Sequence, residues 1–169
     1  MASQLRVFFG HDYFKGSRQP FASYRRRLQR GCQAAGRSLG QPVRPLYGDT
    51  RPDEEIIDRI RSANGDINGI RDGRFWPRIE GLIRISALGI FDLTLPEGPE
   101  TDVNWNTLME LGVARGARLP IRVIVKKRRP VLTRLTNLDG SEIEECSDPL
   151  KMGMLVKELI VAFSRATVP

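Results

Sequence analysis

Carboxylates stand out among the residues whose type and position could do chemistry. Glu110 lies about one turn into a segment of helical spacing that separates two short apolar runs, Leu88–Leu93 and Ile121–Val125. A carboxylate there can be shielded from water and still reach a ligand, so it could act as a nucleophile or stabilise a positive charge. The plainer alternative is a surface glutamate near a helix N-terminus, where the helix dipole favours it by about 0.3–1 kcal/mol.

Further candidates follow the predicted strands or begin the next helix. Asp92 ends an apolar run and is a second candidate catalytic residue; it could bond a ribose hydroxyl, or it could cap the loop to Thr94. His11 is the only histidine and is either a ligand contact or a structural residue. Ligands of open parallel sheets bind beyond the carboxyl ends of the strands, so we expect the residues at these strand ends to share one cleft. The candidate substrate-binding residues are Gly10, His11, Asp12, Tyr13, Asp102, Asn106, Arg71 and Arg74.

The orientation of Glu110 follows from a helical wheel with Trp105 as its reference. At 3.6 residues per turn, one stripe of the helix is predicted to be buried. That stripe consists of Leu108, Met109, Gly112 and Val113. Glu110 falls beside the stripe, next to Asn106 one turn earlier. We therefore expect its carboxylate at the edge of the buried face.

The strands that would position these residues are short apolar runs. Pro42 and Pro45 confine the second run to an edge of the sheet, because proline cannot donate to a central ladder. The predicted strands are Leu5–Phe9, Pro42–Tyr47, Leu88–Leu93, Ile121–Val125 and a short one at Glu142–Cys146.

Helical periodicity fills most of the intervals between the strands. Gly36 is a stop signal for the first helix, and Asn64–Arg74 is predicted to be a loop because glycines interrupt it. The predicted helices are Pro20–Ala35, a short helix that begins near Glu54, Trp76–Ser86, the helix of Glu110, and Leu150–Arg165. The short helix is expected to bury Ile56, Ile57 and Ile60. The last helix is expected to bury Met152, Leu155, Leu159 and Ala162. This alternation predicts one α/β domain over residues 1–169, a doubly wound sheet of about five mainly parallel strands with helices on both faces.

Composition narrows the function classes. The 169 residues carry a net charge of +7, which favours an anionic ligand, and Arg71, Arg74 and the run Lys126–Arg129 lie where they could reach a phosphate. Cys32 and Cys146 lack metal-ligand spacing, so no metal is expected and a reducing cytoplasm is the predicted location. No apolar run is long enough to cross a membrane. The dinucleotide, P-loop and nucleophile-elbow motifs are absent, and no bound cofactor is expected.

Three segments resemble the nucleoside 2-deoxyribosyltransferase superfamily. They are VFFGHDYF near the N-terminus, IFDLT, and MELGVARGARLPIRVIV, which is similar to the family's ELGxAxxxGKPV. NLDG at Asn137–Gly140 resembles a turn of TIR-like relatives. The resemblance implies a flavodoxin-like fold, a homo-oligomer, and a glutamate, matched by Glu110, that attacks or stabilises the anomeric carbon of a nucleoside. It also matches Asp102 to a base-contacting acid and Asp66 to a further acid, while Phe8 stands where the family usually has tyrosine.

The function that follows is cleavage of a nucleoside or nucleotide N-glycosidic bond, or (deoxy)ribosyl transfer, by a catalytic glutamate. The alternative is a TIR-like module that cleaves NAD or senses a nucleotide without turnover. The predicted ligand is thus a nucleoside, a nucleotide or NAD. Nucleic acid is not the expected partner, because aromatic residues are not interleaved with the basic ones as single-strand platforms require.

Overall fold

A parallel sheet of five strands forms the centre of the molecule. The computed structural model describes residues 4–11, 18–93, 105–125 and 143–167. The strands are β1 (Leu5–Gly10), β2 (Val43–Tyr47), β3 (Leu88–Asp92), β4 (Ile121–Val125) and β5 (Ile143–Glu145). Their order is β2-β1-β3-β4-β5, and every neighbouring pair is parallel. This is the flavodoxin-like arrangement, and it confirms the predicted α/β fold.

Helices cover both faces of this sheet. They are α1 (Arg18–Leu39), α2 (Glu54–Ser62), α3 (Ile67–Arg71), α4 (Phe75–Arg84), α5 (Trp105–Gly116) and α6 (Met152–Thr167), with a 3₁₀ turn at Pro149–Lys151 before α6. Residues of α1 and α6 pack with Val7, Phe9 and Ile90 on what we call the α1 face. Residues of α2, α4 and α5 pack with Phe8 and Phe91 on the α5 face. Successive strand residues point to opposite faces, and this alternation produces the two separate cores.

The predicted strands are confirmed to within one or two residues at each end. β3 is buried at every position, as expected of a strand covered on both faces. β2 lies at the edge of the sheet, paired with β1 in a register that places Pro45 beside Val7. A proline is tolerated there because its missing N–H can face outward.

The predicted end of α1 was wrong. The helix runs through Gly36 to Leu39, and the chain leaves it at Gly40, whose φ of +65° is the left-handed conformation that glycine adopts readily. Glycine at position 36 is explained by packing instead. A Cβ at this position would lie 3.0 Å from the Gln41 carbonyl oxygen, so glycine lets the helix end approach the segment that enters β2.

Two other predictions need correction. Asn64–Arg74 is not wholly a loop, because it contains α3, whose first turn is capped by Asp66 accepting a hydrogen bond from the Gly69 N–H at 2.8 Å. In α6 the buried face carries Met152, Val156, Leu159, Ile160 and Ser164, whereas Ala162 is exposed and Leu155 only partly buried. Apolar residues surround most of α6, so the sequence pattern did not single out its inward side.

None of the helices in the described part of the chain has the length and hydropathy that crossing a bilayer requires.

Candidate functional site

The inward side of α5 differs from the prediction. Thr107, Glu110, Leu111 and Ala114 are buried, while Met109 is 51% exposed and Gly112 is also exposed. The predicted stripe of Leu108, Met109, Gly112 and Val113 was therefore wrong by about half a turn, and only Leu108 and Val113 are partly buried. Apolar residues lie nearly all round α5, so the helical wheel did not separate an apolar side of the helix from a polar one. The consequence is chemical, because Glu110 lies on the buried face.

Glu110 lies beside the end of β1, an interior strand of the sheet. Its side chain is only 3% exposed, so the alternative of a surface glutamate is wrong. A Cβ at Gly10 would lie 2.9 Å from Oε2 of Glu110 and would overlap the ring of Phe91, the β3 neighbour of Gly10. Glycine at position 10 thus leaves the space in which the carboxyl group of Glu110 meets the backbone.

Burial changes the acid–base behaviour of this carboxyl group. Removing a carboxylate from water disfavours its charged form, and burial raises the pKa of Glu110 from 4.5 to about 8. The group is consequently protonated in most molecules at neutral pH. A carboxyl group titrating near pH 8 can exchange its proton under physiological conditions, which is the property that catalytic acids, bases and nucleophiles need.

Asp92 lies on the other face of the sheet. It is 7% exposed, and the Tyr24 hydroxyl on α1 donates a hydrogen bond of 2.5 Å to its Oδ2. Burial, and then the charge of Asp92, hold the pKa of Tyr24 well above its usual value. Tyr24 accordingly keeps its proton and remains the donor, with the Asp92 carboxylate as acceptor.

Aromatic rings enclose His11 beside this pair. The imidazole is 6% exposed, with its centroid 5.4 Å from that of Tyr24 and 5.7 Å from that of Tyr47, both in edge-on geometry. Tyr47 also stacks on Phe9 at 5.8 Å and carries the Arg25 guanidinium 4.3 Å above its ring. His11 is therefore a packed residue of the α1 face at the end of β1.

The predicted site residues thus form two groups at one edge of the sheet. Gly10 lies with Glu110 on the α5 face, and His11 lies on the α1 face with Tyr24, the hydrogen-bond donor of Asp92. The end of β1 runs between the two groups. Any ligand that touches both carboxyl groups has to lie over the strand ends, and the single cleft stays a prediction.

The remaining candidates have varied positions. Arg71 ends α3 and Arg74 immediately precedes α4. Both are exposed, and Arg74 pairs with Asp66 at 3.8 Å and Asp72 at 3.4 Å. The Arg78 side chain of α4 donates to the carbonyl oxygen of Gly48, just after β2, so the first turns of α4 lie near the same edge of the sheet. Asn106 is exposed on α5. Asp12, Tyr13, Asp102, Thr94, the run 126–129 and the turn 137–140 lie outside the described residues.

Asp66 and Phe8, two other residues compared with the family, have structural roles. Asp66 caps α3 and pairs with Arg74. Phe8 is fully buried against Phe91, with ring centroids 6.0 Å apart. Neither residue is seen to offer Glu110 a polar partner.

Two residues of the site were missed by sequence reasoning. Tyr24 lies within the predicted first helix, and Thr107, fully buried on the same side of α5 as Glu110, lies outside the predicted stripe of its helix. A signal for Tyr24 existed, because a buried tyrosine hydroxyl usually needs a hydrogen-bond partner. Within the described ranges no group of three or more His, Cys, Asp or Glu side chains is arranged to hold a metal ion, and Cys32 and Cys146 are both free thiols.

Comparisons with known proteins add a likeness in shape. No protein-family model matches the chain, and no curated protein sequence matches it. Among solved structures, the chain is similar to the flavodiiron protein from Giardia intestinalis, with 11% sequence identity and a TM-score of 0.44. The match covers 98% of this chain and 38% of that one, so the chain spans well under two thirds of its length. A likeness at this level says nothing about activity, and the fold assignment rests on the strand order.

Proposed function

We propose that this domain binds a nucleoside or nucleotide and cleaves or transfers at its N-glycosidic bond, with Glu110 as the catalytic carboxyl group. The observation that carries the proposal is the buried carboxyl group of Glu110 beside the Gly10 backbone, at the carboxyl end of the interior strand β1. Ligands of doubly wound sheets bind at this edge. The resemblance of MELGVARGARLPIRVIV to the deoxyribosyltransferase superfamily supports the same residue.

The chemistry needs a carboxylate next to a carbon that becomes positively charged. In the proposed reaction, ionised Glu110 attacks the anomeric carbon while the carbon–nitrogen bond breaks and its electron pair leaves with the base, which takes up a proton. Water or a second base then displaces Glu110. Oxocarbenium-like charge at the anomeric carbon is stabilised by the carboxylate, as in retaining glycosidases.

The raised pKa of Glu110 gives this mechanism a signature. Because only the ionised form can attack, the rate of base release should increase with pH and level off above about 8. The opposite slope would assign Glu110 to proton donation toward the leaving base.

The other residues have supporting roles in this proposal. Asp92 and Asp102 would contact the sugar or the base, and Gly10, His11, Asp12 and Tyr13 would form the close approach of the backbone to the ligand. The net charge of +7 favours a phosphorylated ligand. Arg71 and Arg74 are exposed near this edge and could bind the phosphate, so replacing both with alanine should weaken nucleotide binding more than nucleoside binding.

Base release from a panel of substrates tests the proposal. Purified protein is incubated with nucleosides, ribo- and deoxyribonucleoside monophosphates and NAD, and the released bases are quantified by chromatography. Glu110→Gln should reduce the rate by at least about a hundredfold, because an amide of the same shape cannot attack. Glu158→Gln, which changes an exposed carboxylate of α6, is the matched control and should keep full activity. Equal rates for Glu110→Gln and wild type would refute the assignment.

A second function shares this site. A TIR-like module would use the same glutamate to release nicotinamide from NAD, or would bind a nucleotide without turnover. The protonation of Glu110 at neutral pH favours the binding-only form, because a neutral carboxyl group can bind a ligand but cannot attack it. Nicotinamide release supports the first form; tight binding of a nucleotide without any product supports the second.

Assembly is a further part of the proposal. The resemblance implies a homo-oligomer, and large apolar side chains are exposed on the neighbouring helices α4 and α5, namely Phe75, Trp76 and Met109. Light scattering across a range of protein concentrations would measure the assembly. A reducing cytoplasm remains the predicted location, and the two free, buried cysteines are compatible with it.

A further inference from the structure

The polar group on the α1 face extends beyond what the proposed reaction uses. Tyr24 and Asp92 are 68 residues apart in sequence, yet their 2.5 Å hydrogen bond joins α1 to the last residue of β3. The edge-on contact between His11 and Tyr24 packs the tyrosine ring. The Cys146 thiol, which follows β5, lies close enough for the charge of Asp92 to help raise its pKa after burial does. Tyr24 therefore holds this carboxyl group directly, His11 packs against the tyrosine that does so, and Cys146 lies nearby.

The oxygen atoms of the Asp92 carboxyl group are acceptors for hydrogen-bond donors, and the Tyr24 hydroxyl is one such donor. Each carboxyl oxygen can accept more than one hydrogen bond, so a ligand hydroxyl can bond to Asp92 in addition to the Tyr24 hydroxyl. Nucleosides offer two kinds of donor, the sugar hydroxyls and the N–H groups of the bases. The position of Asp92 relative to Glu110 favours the sugar.

Strand register supplies that position. Gly10 is paired with Phe91, so Asp92 is the next residue along the neighbouring strand. Given the spacing of strands and of residues along them, the Cα atoms of Gly10 and Asp92 lie about 6 Å apart. A sugar whose anomeric carbon meets Glu110 above Gly10 can reach the end of β3 with the hydroxyl on its adjacent carbon, which is the sugar hydroxyl nearest the reacting centre.

We propose that Tyr24 and Asp92 recognise the 2′-hydroxyl of the sugar and make this domain select ribosyl ligands over their 2′-deoxyribosyl counterparts. The proposal rests on the proposed function, because the register argument assumes that the anomeric carbon lies at Glu110. Asp92 contacts the hydroxyl, and Tyr24 acts through Asp92 as a positioning residue. A hydrogen bond between a hydroxyl and a charged group should give about a 10- to 100-fold preference for the ribosyl form.

Binding of paired nucleotides tests this selectivity. The probes are the four ribonucleoside monophosphates AMP, GMP, CMP and UMP, with dAMP, dGMP, dCMP and dUMP as their partners. Titration calorimetry measures dissociation constants on the Glu110→Gln background, where turnover does not interfere. The readout is the ratio of the deoxy to the ribo constant for the base that binds best. A purely structural role would change thermal stability and leave this ratio unaltered.

Four variants on that background give the expected pattern. Asp92→Asn should bring the ratio to within about threefold of one, because its amide no longer presents two charged acceptors. Tyr24→Phe keeps the ring and should lower the ratio partway. Tyr47→Phe removes a hydroxyl from the same face and is the matched control, with an unchanged ratio. A double variant of Tyr24 and Asp92 should equal Asp92→Asn alone, since Tyr24 acts only through that carboxylate.

The outcomes separate this inference from the proposed function. The ribose selectivity is overturned if the wild-type protein releases base while the Glu110→Gln protein, with Asp92 unchanged, shows a deoxy-to-ribo ratio near one. That result leaves the proposed function standing. An unchanged ratio in both Asp92→Asn and Tyr24→Phe also overturns it. Absence of both binding and base release with all eight nucleotides, with their nucleosides and with NAD overturns the proposed function, and this inference with it.

Discussion

Glu110 and Asp92 are the same kind of group at the same edge of the sheet, and they differ in what surrounds them. Their exposures are nearly equal, 3% and 7%. On the α5 face, Glu110 lies against Gly10 and Phe91, and burial raises its pKa to about 8. On the α1 face, Asp92 accepts a 2.5 Å hydrogen bond from Tyr24. Two carboxyl groups of nearly equal burial therefore differ in their neighbours, and the neighbours decide which chemistry each group is suited to.

The largest effect that separates the two faces should be the pH dependence of stability. Glu110 has a folded pKa of about 8 against 4.5 as its ordinary value, so the folded state retains a proton that the unfolded state loses between these pH values. Its contribution to stability is complete below about pH 4.5 and falls as pH rises through 8, by up to about 5 kcal/mol.

Glu110→Gln should remove this loss. Urea unfolding at several pH values between 5 and about 9 would measure the free energy of unfolding of both proteins, and the gap between them should widen in favour of the variant as pH rises. Parallel curves for the two proteins would mean that Glu110 is not desolvated, and the contrast between the faces would disappear.

The next effect concerns the space beside Glu110. Gly10→Ala places a Cβ 2.9 Å from the Glu110 carboxyl oxygen and into the Phe91 ring, so we expect a loss of about 1–3 kcal/mol in the free energy of unfolding. Base release should fall as well, because the carboxyl group has to move. Urea denaturation and the chromatographic assay measure the two effects.

Gly112→Ala is the matched control for that substitution. Gly112 is an exposed helix residue, and a Cβ added there would meet no atom of the described residues within 4 Å, so alanine should stabilise α5 by roughly 0.8–1 kcal/mol. If Gly10→Ala proved as harmless as Gly112→Ala, the close contact between the end of β1 and Glu110 would be wrong.

The smallest of the three effects belongs to the α1 face. Tyr24→Phe leaves the Asp92 carboxylate without one of its donors, and we expect about 1–2 kcal/mol of destabilisation at neutral pH. Tyr47→Phe, on the same face, should cost less. Chemical denaturation of both variants distinguishes a hydrogen bond that stabilises the fold from one that contributes nothing to it.

The parts of the fold and the site that were predicted correctly are those that depend on the pattern of apolar and polar residues within one short segment. Each strand is a short run of apolar residues, so β1, β3 and β4 could be located, and two prolines identified β2 as an edge. Patterns failed where apolar residues encircle a helix. In α5 the choice of inward side decides whether Met109 or Glu110 is buried, and hydrophobicity favoured Met109.

The local sequence determined the alternation of strands and helices, and with it the edge at which Gly10, Asp92 and Glu110 occur, because strand and helix periodicities are properties of short segments. Only the tertiary structure decided which faces they occupy and which groups they meet. Tyr24 reaches Asp92 across 68 residues, and Gly10 meets Glu110 across 100, contacts that depend on strand order and helix rotation. The raised pKa of Glu110 is likewise a tertiary property, because water is excluded from it by segments that no local pattern connects.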